Sequence, residues 1–279
     1  MHFGSKPMPL NRKFTFSQQK IHHYLECQRR FELKYILQQP WPAIRSQPVI
    51  EMERQMLEGQ QFHLMAQQYL SSIDPVLIET QINSEKLNNW WQSFISFSNS
   101  FLTQQKQIET QLVGDIAGFR FIAILDLLVF QPPDHFLILD WKTNTQKPNR
   151  SIIEQQIQTR LYPSLLVTAG SSLLPNTSVS PAQVEMTYWF ANHPNEYETF
   201  IYSKSKYEED LIFFEHIVKE ISQQTDFPKT EKESRCKFCE YRSLCNRGVQ
   251  AGESIENDEI NWQEKIETID FDQVGEISF

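Results

Sequence analysis

The sequence predicts an α/β fold, a mixed central sheet flanked by helices. Three observations carry the prediction. Helical apolar spacing runs through the first hundred residues, two strand-like runs joined by a turn signal follow, and helix and strand then alternate to about residue 223. Ser17 is a suitable N-cap for a helix through "QQKIHHYLECQRRFELKYIL". There Ile21, Tyr24, Leu25, Phe31, Leu33 and Tyr35 keep helical spacing, with room for a break near Cys27. "QPWPAIRSQP" reads as a proline-marked loop. Residues 50–70 read as an amphipathic helix burying Met56, Leu57, Leu64 and Met65, with His63 beside them. A second helix, over 85–106, centres on Trp90, Trp91, Phe94 and Phe97.

The pattern then changes. "QLVGDIAGFRFIAILDLLVF" is strand material with glycines at 114 and 118, and "QPPD" marks a turn before the strand "HFLILDW". "SIIEQQIQTRLYPSLLVTAG" reads as a helix that Pro163 should kink or split. "QVEMTYWF" and "ETFIYS" are two further strands, and a helix over 206–223 leads into a cysteine-rich segment. No internal repeat is evident.

Composition narrows the function classes. Apolar residues make up 40% and aromatics 13%, enough for a sizeable core. The longest apolar run, "FRFIAILDLLVF", is too short to span a bilayer and carries Asp126. "MHFGSKPMPLNRKF" has no continuous apolar segment, so the expectation is a soluble cytoplasmic protein without a membrane partner. The net charge of −9 argues at first against nucleic acid. Its distribution reverses that reading: residues 1–50 carry +6 and residues 251–279 carry −8, leaving the remainder of the chain compatible with local phosphate contacts.

The chemistry concentrates at "DWKT". Strand alternation points Asp140 and Lys142 to one face and Trp141 to the other. Asp126 lies on the preceding strand, one hairpin-length turn away, and an acid inside "FIAILDLLVF" is costly to bury without a partner. Two carboxylates at close quarters repel unless a divalent cation lies between them; Mg²⁺ and Mn²⁺ take oxygen ligands. A lysine beside such a metal can orient an attacking water or neutralise a phosphate in the transition state. Against this stands the simpler reading, a charged fringe solvating a strand end. His63 alone reads as an ordinary helix-edge histidine. Gln158 and Tyr162 share one helix face by their spacing of four.

Four cysteines complete the inventory. "CKFCEYRSLC" leaves two and then five residues between Cys236, Cys239 and Cys245, and Cys27 stands far upstream. Four thiolates suit tetrahedral zinc or an iron–sulfur cluster, and the spacing does not separate the two. Either would clip the N-terminal helical segment to the C-terminal end.

Taken together, these motifs resemble the RecB-like branch of the PD-(D/E)XK nuclease superfamily. They are most similar to members with an iron–sulfur clip, such as AddB-type subunits and CRISPR-associated adaptation nucleases. The resemblance runs in order from "FSQQKIHHYLECQRRFELKYI" to "CKFCEYRSLC". It implies a restriction-endonuclease-like core with the cysteine clip in one domain over 1–250, and an acidic, flexible tail over 251–279. "EGQQFH" implies His63 as a metal ligand, "AILD" implies Asp126, and "DWKT" implies Asp140 as ligand and Lys142 as catalytic lysine. "QTRLY" implies Gln158 and Tyr162 in support of site and substrate. The cysteines resemble those of the [4Fe–4S] members, with Zn²⁺ the alternative. The implied function is a Mg²⁺- or Mn²⁺-dependent deoxyribonuclease, an exonuclease on single-stranded DNA in repair, recombination or CRISPR adaptation, with a helicase or recombination partner. The rival is a nucleic-acid-binding subunit with a vestigial nuclease site. Departures from the pattern are Ala123 in place of glycine, Gln28 in place of proline, and Pro163 directly after Tyr162.

Overall fold

The apolar stretch before "DWKT" is buried on both sides because it forms an interior strand. In the computed structural model, which describes residues 10–40, 44–45, 47–131, 134–173 and 178–251, that strand is His135–Lys142. In chain order the elements are β1 (Thr15–Ser17), α1 (Gln18–Glu26), α2 (Gln28–Phe31), β2 (Ile44–Arg45), α3 (Gln47–Leu70), α4 (Pro75–Glu79) and α5 (Glu85–Ser98). They continue as β3 (Gln105–Ile116), β4 (Phe119–Gln131), β5 (His135–Lys142), α6 (Arg150–Gln155), α7 (Ile157–Ala169), β6 (Val184–Phe190), β7 (Tyr197–Ile201), α8 (Lys204–Gln223) and β8 (Gln250–Ala251). The described residues form two compact units. One holds Gln55–Gly114 and Ala123–Asp210; the other holds the chain up to Arg54, Asp115–Ile122 and the chain from Leu211 onward.

In the first unit β4, β5, β6 and β7 lie side by side in that order. β5 runs antiparallel to β4 from Gln131↔His135 to Leu127↔Leu139, and parallel to β6 from Phe136↔Val184 to Lys142↔Phe190. The sheet is therefore mixed, and β5, flanked on both edges, is apolar on both faces. On one face α3 and α5 bring Phe62, Met65, Trp90, Trp91 and Phe94 against Trp141 and Trp189, all with 2% exposure or less. Phe97 stacks on Trp189 with ring centroids 5.1 Å apart. Each such ring contributes about 1.5–3 kcal/mol by burial. On the other face lies α7, joined to β6 by a hydrogen bond between Thr159 and Tyr188.

The second unit starts at β1, parallel to the first residues of β4 from Thr15↔Arg120 to Ser17↔Ile122. Phe16 stacks on Phe121, which meets Phe214 of α8. Ser17 caps α1, its Oγ accepting from Lys20 N at 3.4 Å. The helix breaks at Cys27, whose backbone is extended (φ −159°, ψ 106°). Ala117 and Gly118, with φ of 54° and 77°, make the two-residue β3–β4 turn, where both positions need left-handed backbone. Asp115 Oδ1 accepts from Gly118 N and steadies it.

Several local expectations are corrected. The buried stripe of α3 is Phe62, Met65, Ala66 and Leu70, whereas Leu57 and Leu64 are 63% and 47% exposed. α5 ends at Ser98; residues 99–104 turn, with Phe101 still buried, before β3 begins. The helical break expected at Pro163 falls at Gln156, where ψ is 144°, and α7 continues through the proline. Within the proline-marked loop, Ile44–Arg45 pairs in parallel with Gln250–Ala251. Among the described residues no helix is long and apolar enough to cross a membrane. The acidic tail lies, from residue 252, outside the described residues.

Candidate active site

The β4–β5 ladder stops at Leu127↔Leu139, and the next position on each strand holds a carboxylate, Asp126 and Asp140. Beyond that point β5 is bonded to β6 alone, so the amide of Trp141 lacks a β4 carbonyl. Asp126 supplies the acceptor instead: its Oδ2 takes the Trp141 N–H at 3.1 Å. An acid in the middle of an apolar strand is thereby fixed at the fork of two strands.

His63 comes from α3. Its Nδ1 stands 3.4 Å from Asp126 Oδ1, and its ring lies 5.9 Å from the Trp141 ring. Gly59, one turn earlier, lets α3 come this close. A Cβ at residue 59 would lie 2.8 Å from Thr143 Oγ1, inside van der Waals contact with the residue after Lys142. We expect Gly59→Ala to displace α3 and with it His63. Helix propensity favours alanine by about 1 kcal/mol and offsets the clash. The expected outcome is thus a melting temperature near wild type with activity reduced about tenfold, read by parallel calorimetry and kinetics.

Asp140, Lys142 and Gln158 form a closed ring of contacts. Lys142 Nζ is 2.9 Å from Asp140 Oδ1 and donates to Gln158 Oε1 at 2.8 Å, while Gln158 Nε2 donates to Asp140 Oδ2. All three are at most 5% exposed. A buried charge pair of this kind needs further hydrogen bonds, and α7 supplies two of them through the single Gln158 amide. Tyr162, one turn beyond Gln158, is buried at 7% exposure.

Glu109 went unremarked in the sequence. It sits in β3, beside β4, with left-handed backbone (φ 49°), a rare conformation for a strand residue that changes where its side chain is aimed. Burial, reinforced by the Asp126 charge and opposed by His63, pushes its carboxyl up to about 7. The signal available was an acid in the strand that precedes Asp126. A consequence follows for the metal-free protein. The folded state holds the Glu109 proton more tightly than the unfolded chain, whose carboxyl titrates near 4.5, so stability falls as pH rises from there to about 7. Glu109→Gln should remove that slope: its melting temperature matches wild type in acid and exceeds it above pH 7, in a chelator-treated sample followed across pH.

The two carboxylates match in chemistry what Mg²⁺ or Mn²⁺ accepts, and the imidazole is a softer nitrogen donor beside them. As oriented here, Asp140 is engaged by Lys142 and Gln158, and among the described residues no three His, Cys, Asp or Glu side chains stand together closely enough to hold a metal ion. Coordination by all three would require the Asp140 carboxylate to exchange one of its present contacts.

The second unit contains all four cysteines, and among the described residues no three of them stand closely enough together to hold a metal ion. Cys27 lies at the α1–α2 break, and the amide of Cys239 donates to Cys236 O. None is in a disulfide. Burial pushes the Cys239 thiol up to about 11 and raises Cys236 and Cys245, and each of these three also feels the charge of Cys27. Hydrogen bonds join the segment around Cys27 to the C-terminal segment: Arg29 N donates to Pro228 O, and the Arg235 guanidinium donates to Glu26 O. Gln28, where the resembled family has proline, exchanges hydrogen bonds with Tyr24 and Gln224.

Among solved structures the chain is similar to a provisionally assigned exonuclease from Eubacterium rectale, at 10% identity and a TM-score of 0.50 over 93% of this chain and 95% of that one. It is also similar to the protein SSO0001, at 11% identity and a TM-score of 0.42 over 88% and 90%. A comparison with curated proteins returns no match. The family model of the PD-(D/E)XK nuclease superfamily matches residues 15–246, a span that contains every residue of the candidate site and all four cysteines. The chain belongs to the PD-(D/E)XK nuclease superfamily.

Proposed function

We propose that this chain is a divalent-metal-dependent deoxyribonuclease that hydrolyses phosphodiester bonds, acting as an exonuclease on single-stranded DNA. The observation that carries the reading is the buried Asp140–Lys142–Gln158 ring set at the same strand fork as Asp126 and His63. His63, Asp126 and Asp140 would hold Mg²⁺ or Mn²⁺, with the Trp141 carbonyl as a further oxygen. When bound, the metal supplies a Lewis acid and lowers the pKa of a coordinated water. Lys142 holds its ammonium where it can face a phosphate oxygen or orient the attacking water. Gln158 bonds both that ammonium and the Asp140 carboxylate, and Tyr162 on the same helix face supports the substrate. Both strand and helix are core elements, so these groups are held before the substrate arrives.

The test is single-turnover cleavage of end-labelled single-stranded DNA with Mn²⁺. Asp126→Ala and Asp140→Ala should lose cleavage; variants that cut as fast as wild type would sink the assignment. The rival is a nucleic-acid-binding subunit without cleavage, in which Asp140 keeps its contacts to Lys142 and Gln158 and takes no metal. Salt-dependent DNA affinity with no metal-dependent product would establish it.

Cys27, Cys236, Cys239 and Cys245 are proposed to hold a [4Fe–4S] cluster, with Zn²⁺ as the alternative. A metal's positive charge would offset the burial that favours the protonated thiols of Cys236, Cys239 and Cys245. Protein purified without oxygen should show broad visible absorption and stoichiometric iron, both lost in Cys27→Ser. A colourless preparation carrying zinc would select the alternative. Repair, recombination or CRISPR adaptation, beside a helicase or recombination partner, is the setting proposed for this activity.

A further inference from the structure

Beneath the Lys142 ammonium lies the ring of Tyr188, with 5.6 Å from Nζ to the centroid. Tyr188 is the β6 partner of Asp140 in the parallel ladder, so its side chain shares the sheet face of Asp140 and Lys142. The ring is fully buried and Lys142 is 5% exposed, so water screens their attraction little. A ring needed only for packing could be phenylalanine, as β6 itself ends in Phe190. A buried phenol instead requires a partner for its hydroxyl.

That partner comes from α7. Thr159 Oγ1 lies 2.8 Å from Tyr188 Oη and donates to Ile153 O at 2.5 Å, which leaves the tyrosine as the donor between them. Thr159 is next in sequence to Gln158. Adjacent residues of one helix turn therefore hold the lysine twice: Gln158 takes its ammonium directly, and Thr159 fixes the ring beneath it.

We propose that Tyr188 is a positioning residue for Lys142, a seat for its ammonium that Thr159 locks in place through the phenol. The proposal rests on the reading of Lys142 as the lysine that acts at the scissile phosphate. Tyr188 touches no reacting atom; its effect passes through the lysine.

The experiment is single-turnover cleavage of single-stranded DNA with Mn²⁺, rates being divided by the folded fraction of each protein. Tyr188→Phe and Thr159→Val should each slow the maximal rate about three- to tenfold with half-saturating DNA unchanged. Their double variant should be no slower than the slower single, because all three lose the same hydrogen bond. Tyr188→Leu, which removes the ring, should slow it about thirtyfold; if that variant does not fold, the Phe and Val set decides alone. Wild-type rates per folded molecule in Tyr188→Phe and Thr159→Val, with Lys142→Ala inactive, would overturn the positioning role and leave the nuclease reading standing. A wild-type protein that does not cut, or a Lys142→Ala that cuts equally well, would remove that reading and the proposal with it.

Discussion

On the proposed mechanism, Lys142→Ala should lower the maximal rate of DNA cleavage by about a thousandfold, with DNA affinity changed only a few-fold. The ammonium lies 2.9 Å from Asp140 and 2.8 Å from Gln158, fixed by a strand end on one side and a helix on the other. A charge held in that way contributes to the transition state without reorganising, so its loss appears in the rate rather than in binding. Removing one member of a buried pair also destabilises the fold by about 3 kcal/mol, although Asp140 keeps the Gln158 donor. Lys142→Arg separates the two effects. It keeps the charge and most of the stability, but its planar fork cannot occupy the seat of a point-like ammonium, and it should remain at least about a hundredfold slow. Kinetics and thermal melting on the same preparations check both statements.

Trp141→Ala carries the largest expected loss of stability, about 3–5 kcal/mol by urea denaturation. Trp141 has 0% exposure and packs on Phe94 at 5.1 Å and on His63 at 5.9 Å. The same residue presents the amide that fixes Asp126. Its side chain thus holds the α3 layer against the strand whose backbone orients the site. Trp141→Phe should recover more than half of the lost stability, since an aromatic contact to Phe94 survives, and should restore cleavage in proportion.

The arrangement of the candidate site was partly legible because strand alternation and helix spacing are local rules. Asp140 and Lys142 share a face, and Gln158 on α7 reaches both of them. Asp126 could be singled out by the cost of an acid within an apolar run, and the structure shows its partner to be a backbone amide that the fork in the ladder exposes. Glu109 was hidden for the opposite reason. Its aim depends on a left-handed residue in mid-strand, which no apolar pattern encodes. The stripe of α3 misled because Leu57 and Leu64 are apolar yet exposed, while Gly59, silent in an apolar count, governs how closely the helix approaches Thr143. The α5 boundary was overrun because Phe101 and Leu102 continue the apolar spacing past Ser98 without continuing the helix. Pro163 drew attention as a breaker, but α7 runs through it and the chain breaks at Gln156 instead. Nothing in the apolar pattern distinguishes Tyr188 from the other core aromatics, because its place beneath the lysine depends on a hydroxyl that meets Thr159.

The central claim is that this strand fork runs metal-dependent phosphodiester hydrolysis. Its most direct test is a time course of end-labelled single-stranded DNA with chelator-stripped wild-type protein, before and after Mn²⁺ is restored. The account predicts no product in chelator and steady loss of the substrate once Mn²⁺ is added. Undiminished cutting in chelator, or intact DNA after Mn²⁺ is restored to folded protein, would contradict it.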